Sequence, residues 1–316
     1  MALPRRRANN PAMRLRRTAA VLVTVAATGV GLAAPAAQAA KHPEGMDIHA
    51  GGPHGQVVAH EAHDASAARH GGSANMTLHG GGIMVNSDIT PIFWGTKWAN
   101  GTFLGDKKSG LESFYTGYNS SNYAKASDEY SGTNGQVGPS LTLRNSIVDT
   151  SGGISKAPST TTILTEVAKV IGNPVANGYY PVYTDLPRGN AGYCAWHSWG
   201  TIGNVPVQFA FFFNLDGDGG CDPVDGSGLH SQGLAALANV SAHELSEART
   251  DPRGTGWFDN SGAENGDKCA WTFNVPLVTF SNGSKWKDQG EWSNAAYTAG
   301  TGYPNRSGQS GCADGH

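Results

Sequence analysis

From His79 onward the chain breaks into short apolar runs and helical stripes. "GIMVNSDITPIFWG" alternates and then turns strongly apolar, which predicts a strand ending at Gly95. "SGLESFYTGYNSSNY" brings Leu111, Phe114 and Tyr115 onto one helical face. "TTILTEVAKVIGN" predicts a second helix, with Ile163, Val167 and Val170 inward and Gly172-Asn173 as its stop. "GYYPVYTDLP" and "VPVQFAFFFNLDG" read as strands, and the near-continuous apolar run of the second predicts a central strand buried on both faces. "GLAALANVSAHELSEART" predicts a third helix, with Leu234, Leu237, Ser241, Leu245 and Ala248 as its core-facing stripe. The tail predicts short strands around the Ser281-Asn282-Gly283 turn. Residues 79–316 are thus expected to form one α/β (or α+β) domain large enough for a real core.

Upstream the periodicity disappears. Residues 40–78 carry His42, His49, His54, His60, His63 and His70 among Gly, Ala and acidic residues, and read as a disordered linker or pro-segment. No ligand spacing repeats among these histidines, which favours a solvated polar tail over loose metal binding. Residues 1–39 read as a signal peptide: Arg5–Arg7, Arg14, Arg16 and Arg17 precede a small apolar run, and Ala37-Gln38-Ala39 is an A-x-A cleavage site. The run is too short for a stable membrane span, so no membrane insertion is expected after cleavage.

Export makes the chain secreted and places its four cysteines in an oxidising compartment. Three pairings are open. Cys194–Cys221 and Cys269–Cys312 close the shorter loops and are expected, while the lack of C-x-x-C argues against a cysteine zinc site. A formal charge of -3 gives no basic face for nucleic acid, and 44 glycines with only 15% charged residues suit a loop-rich exported protein. There is no G-x-S-x-G elbow, Walker loop or G-x-G-x-x-G after a strand.

The chemistry concentrates in "HELSEARTDP", one residue away from the zinc-peptidase H-E-x-x-H. At about 100° per residue His243 and Glu247 share a helix face, with Glu244 beside them. That suits a zincin-like helix: His243 and Glu247 bind zinc and Glu244 takes a proton from water. A third ligand is expected from "GWFDNSGAENGDKC", which offers Asp259, Glu264 and Asp267. Asp251 ranks below Asp267 and Glu264, because Pro252 draws it out of the helix. Such a carboxylate-rich set is hard enough to admit Mn²⁺ or Ca²⁺ as well. The plain alternative is a charged helix end with Glu247 near Arg249 and Lys268.

A second cluster is "NLDGDGGCDPVD". Asn214, Asp216 and Asp218 alternate, and Asp222 and Asp225 take the ninth and twelfth places of an EF-hand-like calcium loop. Two departures weaken it: Asp rather than Glu at the twelfth place, and a strand rather than a helix before it. His197 in "YCAWHSWG" reads first as a hydrogen-bonded structural residue. Trp271, Trp286 and Trp292 read as core before they read as a sugar-binding surface.

"LHGGGIMVNSDITPIFWG", "SAHELSEARTDP", "WFDNSGAENGDKC" and "EWSNAA" occur in that order, and with them the chain resembles the EXORDIUM / phosphate-induced protein family from about His79 to the C-terminus. The matching pieces are His79-Gly80-Gly81, Phe93-Trp94-Gly95, His243 to Glu247, and Glu264 to Cys269. The resemblance implies an extracellular protein linked to growth or the cell wall, without an established activity. The function expected first is a secreted metal-dependent hydrolase, a zinc peptidase using the H-E-x-x-E helix on a peptide or cell-wall substrate; the alternative is a non-catalytic extracellular binding protein with a structural metal or none.

Overall fold

The computed structural model describes residues 48–59 and 74–316. The expected signal peptide, and His42, His60, His63 and His70, lie outside the described residues. The described part is a mixed α/β body around one nine-stranded sheet. Its strands are β1 (Ile48–Ala50), β2 (His54–Val58), β3 (Ser87–Ile89), β4 (Ile92–Trp94), β5 (Leu141–Leu143), β6 (Ile147–Asp149), β7 (Gly178–Pro187), β8 (Tyr193–Ile202) and β9 (Val205–Asn214). β7 lies parallel to β9 on one side and to β3 and β4 on the other, and these lead on to β5 and β6. β8 runs antiparallel to β9, and β1 and β2 run antiparallel to β8 along its far edge.

β7 and β9 match the two predicted apolar strands, and both are almost wholly buried. The single strand expected up to Gly95 is two strands, β3 and β4, interrupted at Thr90-Pro91. The register explains the break. Tyr179 pairs with Ile89 and Val182 with Ile92, which sets Pro181 opposite Pro91. Neither proline has an N–H to give, so the ladder stops there and resumes.

The linker expectation is corrected by β1 and β2. Residues 48–58 are strands of the main sheet, and Val57 is fully buried. β8 was likewise not expected as a strand, because His197 and Ser198 interrupt its apolar run; both are buried.

Helix α1 (Lys107–Tyr118) buries Leu111, Phe114 and Tyr115 as expected, and α2 (Thr160–Val170) buries Ile163, Val167 and Val170. Helix α3 (Gln232–Thr250) is capped by Ser231, whose side chain accepts from the Leu234 N–H, and it ends at Asp251 before Pro252. Its expected single apolar stripe is too narrow: every residue from Gly233 to Thr250 is buried. β8 and β9 pack against it, as do α1 and the short helix α4 (Asn265–Lys268), so no face is left for water. Buried polar groups on α3 must therefore find partners inside. Ser241 does so through Tyr183, whose hydroxyl stands 2.8 Å from Ser241 Oγ and 2.6 Å from Tyr115 Oη.

Both expected disulfides are present, Cys194–Cys221 and Cys269–Cys312. The expected turn at Ser281-Asn282-Gly283 joins two short paired strands. Trp271, Trp286 and Trp292 are buried, which makes them core. No helix among the described residues is long and apolar enough to cross a membrane.

Candidate functional site

One helical turn separates His243 from Glu247, and the expected shared face is found. His243 Nε2 stands 2.8 Å from Glu247 Oε1 and 3.6 Å from Asp267 Oδ1. Asp267 comes from α4, and its N–H donates to Glu247 Oε1 at 2.9 Å. A reciprocal cap between Glu264 and Asp267 starts α4, and Cys269, at its end, pins it to Cys312. His243, Glu247 and Asp267 form one of two groups, among the described residues, whose donor atoms lie within 4.8 Å of one another.

The second group is His197, Glu244 and Glu247. His197 is delivered by β8, which α3 crosses. Its Nδ1 lies 3.1 Å from Glu244 Oε2 and 3.5 Å from Glu247 Oε2, and its Nε2 lies 3.8 Å from Glu264 Oε2. Glu264, the other expected third ligand, thus faces His197 rather than His243. A strand reading of "YCAWHSWG" would have placed His197 on a definite sheet face, but nothing local says that α3 packs there.

Gln289 separates the two groups chemically. Its Oε1 accepts from the Trp271 N–H at 3.1 Å, and its Nε2 donates to Gly266 O at 3.1 Å. These fix the amide orientation, so the donor Nε2 also faces His243 Nδ1 at 2.8 Å. Burial opposes a charge on His243, while Glu247 and Asp267 favour one and pull its pKa up. A second ring proton would nevertheless point at the Gln289 N–H, so we take the ring as neutral with its proton on Nε2. That is the atom an ion beside Glu247 and Asp267 would need. The 2.8 Å contact to Glu247 lies off the N–H direction, since His243 Nε2 completes no hydrogen bond.

His197 carries no such restriction. Its Nε2, with Glu244 Oε1, Glu247 Oε2 and Glu264 Oε1, is buried without a hydrogen-bond partner. Four unpaired polar atoms in one buried cluster is a large departure from the usual satisfaction of buried groups. Donors 2.0–2.1 Å from a tetrahedral ion stand about 3.3 Å apart, and the 3.1 and 3.5 Å spacings at His197 Nδ1 bracket that value.

Without a cation, protons must neutralise the cluster. Burial alone would keep His197 neutral, but Glu244 and Glu247 override it and push its pKa up to about 10. Burial raises Glu244 to about 8, against the pull of His197. Burial would raise Glu247 too, yet the charge on His197 opposes it and pulls it below the usual carboxylate range. Burial, Glu247 and Asp251 hold Glu264 well above the usual carboxylate range. Stability from a raised His197 is full below its ordinary 6.5 and is lost as pH rises through about 10. The cost of ionising Glu244 starts above its ordinary 4.5 and is complete past about 8. Stability from Glu247 is present above its ordinary 4.5 and is lost as pH falls below it. Chelator-treated protein should therefore be most stable in mild acid, with a melting temperature that declines from pH 6.5 toward 10. Thermal scans across that range check this, and an equal decline in a His197→Gln, Glu244→Gln double variant would refute the assignment.

Strand β2 covers the cluster. Gly55 has φ +45°, and a Cβ there would stand 1.8 Å from Glu247 Oε2 and 2.7 Å from His197 Nδ1. Only a glycine lets the backbone pass so close. His54 lies beside it, its ring centre 6.3 Å from that of His197.

The residues of the expected calcium loop each have a local partner. Asp216 pairs with Lys107, and Asp218 takes a two-pronged bond from Arg188. Asn214 and Asp222 accept from backbone N–H groups two residues on, and Asp225 faces His230 Nδ1 at 3.0 Å. Each side chain is drawn to its own local partner, and none belongs to a close donor group among the described residues. Asp251 accepts from the Thr255 and Gly256 N–H groups, and Asp259 pairs with Lys268. His79 stacks on Phe258, 3.5 Å between ring centres, which ties the "HGG" motif to the "WFD" motif.

Compared with protein-family models, curated proteins and solved structures, the chain finds no match.

Proposed function

We propose that this chain is a secreted metal-dependent hydrolase with a zincin-like helix. His197 Nδ1, Glu244 and Glu247 hold the ion. The observation that carries this is the set of unpaired buried carboxylate oxygens on Glu244, Glu247 and Glu264 gathered around His197. Zinc suits the donor spacing, and the carboxylate-rich set also admits Mn²⁺. A bound ion would polarise a substrate carbonyl and activate water. Glu264 stands 3.8 Å from the far nitrogen of His197, the place of the carboxylate behind a ligating histidine, and would have to close that gap to fix the tautomer. The Asp267 N–H holds one oxygen of Glu247, leaving the other for the ion. Glu244 keeps Oε1 free to take the proton from water. In this reading His243 packs behind Glu247, 2.8 Å from its Oε1, and His197 takes the ligand role expected of His243. The EXORDIUM-like motifs agree with an extracellular setting.

Elemental analysis of the purified chain tests the reading. About one equivalent of metal is expected, lost in His197→Ala. His243→Ala should retain an ion with affinity lowered about 10- to 100-fold, the usual cost of losing an outer partner. Metal lost in His243→Ala but kept in His197→Ala would move the ion to the His243, Glu247 and Asp267 group. The second reading, a non-catalytic binding protein, is favoured by one observation: β2 closes the cluster from solvent. A metal-loaded chain with no hydrolysis of casein-like or cell-wall peptides, before or after removal of that cover, would support it.

A further inference from the structure

Residues 48–59 lie along the outer edge of β8 as an extended peptide would. We propose that this edge is a peptide-docking site filled by the chain's own N-terminal strand, and that an external extended peptide takes the place when the strand is displaced. This names the substrate class of the hydrolase reading and rests on that reading for its chemistry; the docking itself rests on backbone geometry.

The seat is built from main-chain bonds. Ile48, His49 and Ala50 pair with Ile202, Thr201 and Gly200. The Gly51 N–H donates to Trp199 O at 2.8 Å, and the Ala59 N–H donates to Gly192 O at 3.0 Å. Side chains of the body complete it: Ser198 Oγ donates to Gly52 O at 2.7 Å and Trp271 Nε1 donates to Val58 O at 2.8 Å. Such bonds recognise any extended backbone and leave selectivity to the side chains. Two positions select. Gly55 passes over Glu247 and His197 where a Cβ has no room, and Val57 is fully buried. The preferred peptide thus carries glycine over the acidic cluster and a small apolar residue two places on.

The strand is also seated less regularly than its neighbour across β8. The β8–β9 ladder runs unbroken from Ala195 to Ile202, whereas the β2–β8 register shifts twice, between Tyr193 and Ala195 and between Ala195 and His197. A strand held by an interrupted ladder at a sheet edge is the one to exchange.

The test uses the full chain with a protease recognition sequence inserted between residues 65 and 66, folded first and cut afterwards. The probe is a fluorescent peptide with the sequence of residues 47–59. Uncut protein should not bind it. Cut protein should exchange its resident segment and bind the probe saturably. The same probe with Gly55→Ala should bind about 10- to 100-fold more weakly, the range expected for forced overpacking. Two results overturn the proposal: cut protein that excludes the probe at all concentrations, and a Gly55→Ala probe that binds equally well. Metal content measured on the same samples separates the two ideas. Probe exchange in a chain that holds no metal keeps the docking edge and removes the hydrolase, and a metal-loaded chain without exchange does the reverse.

Discussion

Arg249→Met should lower the unfolding free energy by about 3–5 kcal/mol, the range for removing one member of a buried charged network. Arg249 lies near the end of α3 and is 1% exposed. Its Nη1 donates to Tyr118 Oη and to Ala124 O, both at 3.0 Å, and its Nη2 donates to Gly138 O at 2.8 Å. Asp128 stands 3.7 Å from Nη2. Methionine fills most of the volume but donates nothing, so Tyr118 Oη and the half-buried Gly138 O lose a charged donor, Ala124 O falls back on the Ser127 N–H at 3.3 Å, and Asp128 loses its cation. For a domain of this size the melting temperature should fall by roughly 10 °C. Denaturant titration of wild type and variant measures the difference, and a loss below about 1 kcal/mol would mean that water reaches these acceptors. Arg249 was read from sequence only as a possible surface neighbour of Glu247. It instead ties α3 to the segment after α1.

Replacing Cys269 and Cys312 together by serine should cost about 4 kcal/mol, from the chain entropy of a closed loop of this length, the two residues being 43 apart in sequence. The consequence for the site matters more. Cys269 follows α4 directly, and α4 brings the Asp267 N–H onto Glu247 and Glu264 beneath His197. Freed from Cys312, α4 is a single helical turn with little to fix it, and turns this short do not hold in isolation. Metal affinity should fall along with stability. The Cys194–Cys221 pair, 27 apart, should cost slightly less by the same reckoning. Denaturation and metal titration of both double variants check this; equal metal affinity in the Cys269, Cys312 variant would show that α4 is held by its packing alone.

The legible parts of the fold were those whose signal is local. β7 and β9 are written in long apolar runs, α3 in its apolar spacing and its Pro252 stop, and the disulfides in cysteine order. The site was half legible for the same reason. His243, Glu244 and Glu247 lie within one helical turn, and the acids at 264 and 267 stand just before a cysteine. His197 was undervalued because its partners lie 47 and 50 positions away, and only the packing of α3 on β8 brings them together. The expected calcium loop shows the opposite case. The spacing was present, but Lys107 and Arg188, distant in sequence, reach the carboxylates first. The segment 48–58 was misread because glycine and histidine dilute its pattern; the buried Val57 and the edge of β8 make it a strand.

The seating of that segment also sets an order of events. Ile48 pairs with Ile202, and His54 with His197, across about 150 positions of chain. Contacts so distant along the sequence form late, because the long intervening loop must close before they give anything back. The central strands and α3 can assemble with β8 while its outer edge is still bare. There is then an interval in refolding when His197, Glu244 and Glu247 are already gathered and still open to water. An ion taken up in that interval would be sealed in when residues 48–59 settle, so the order of metal addition and folding, and not affinity alone, would decide how much of the protein is loaded.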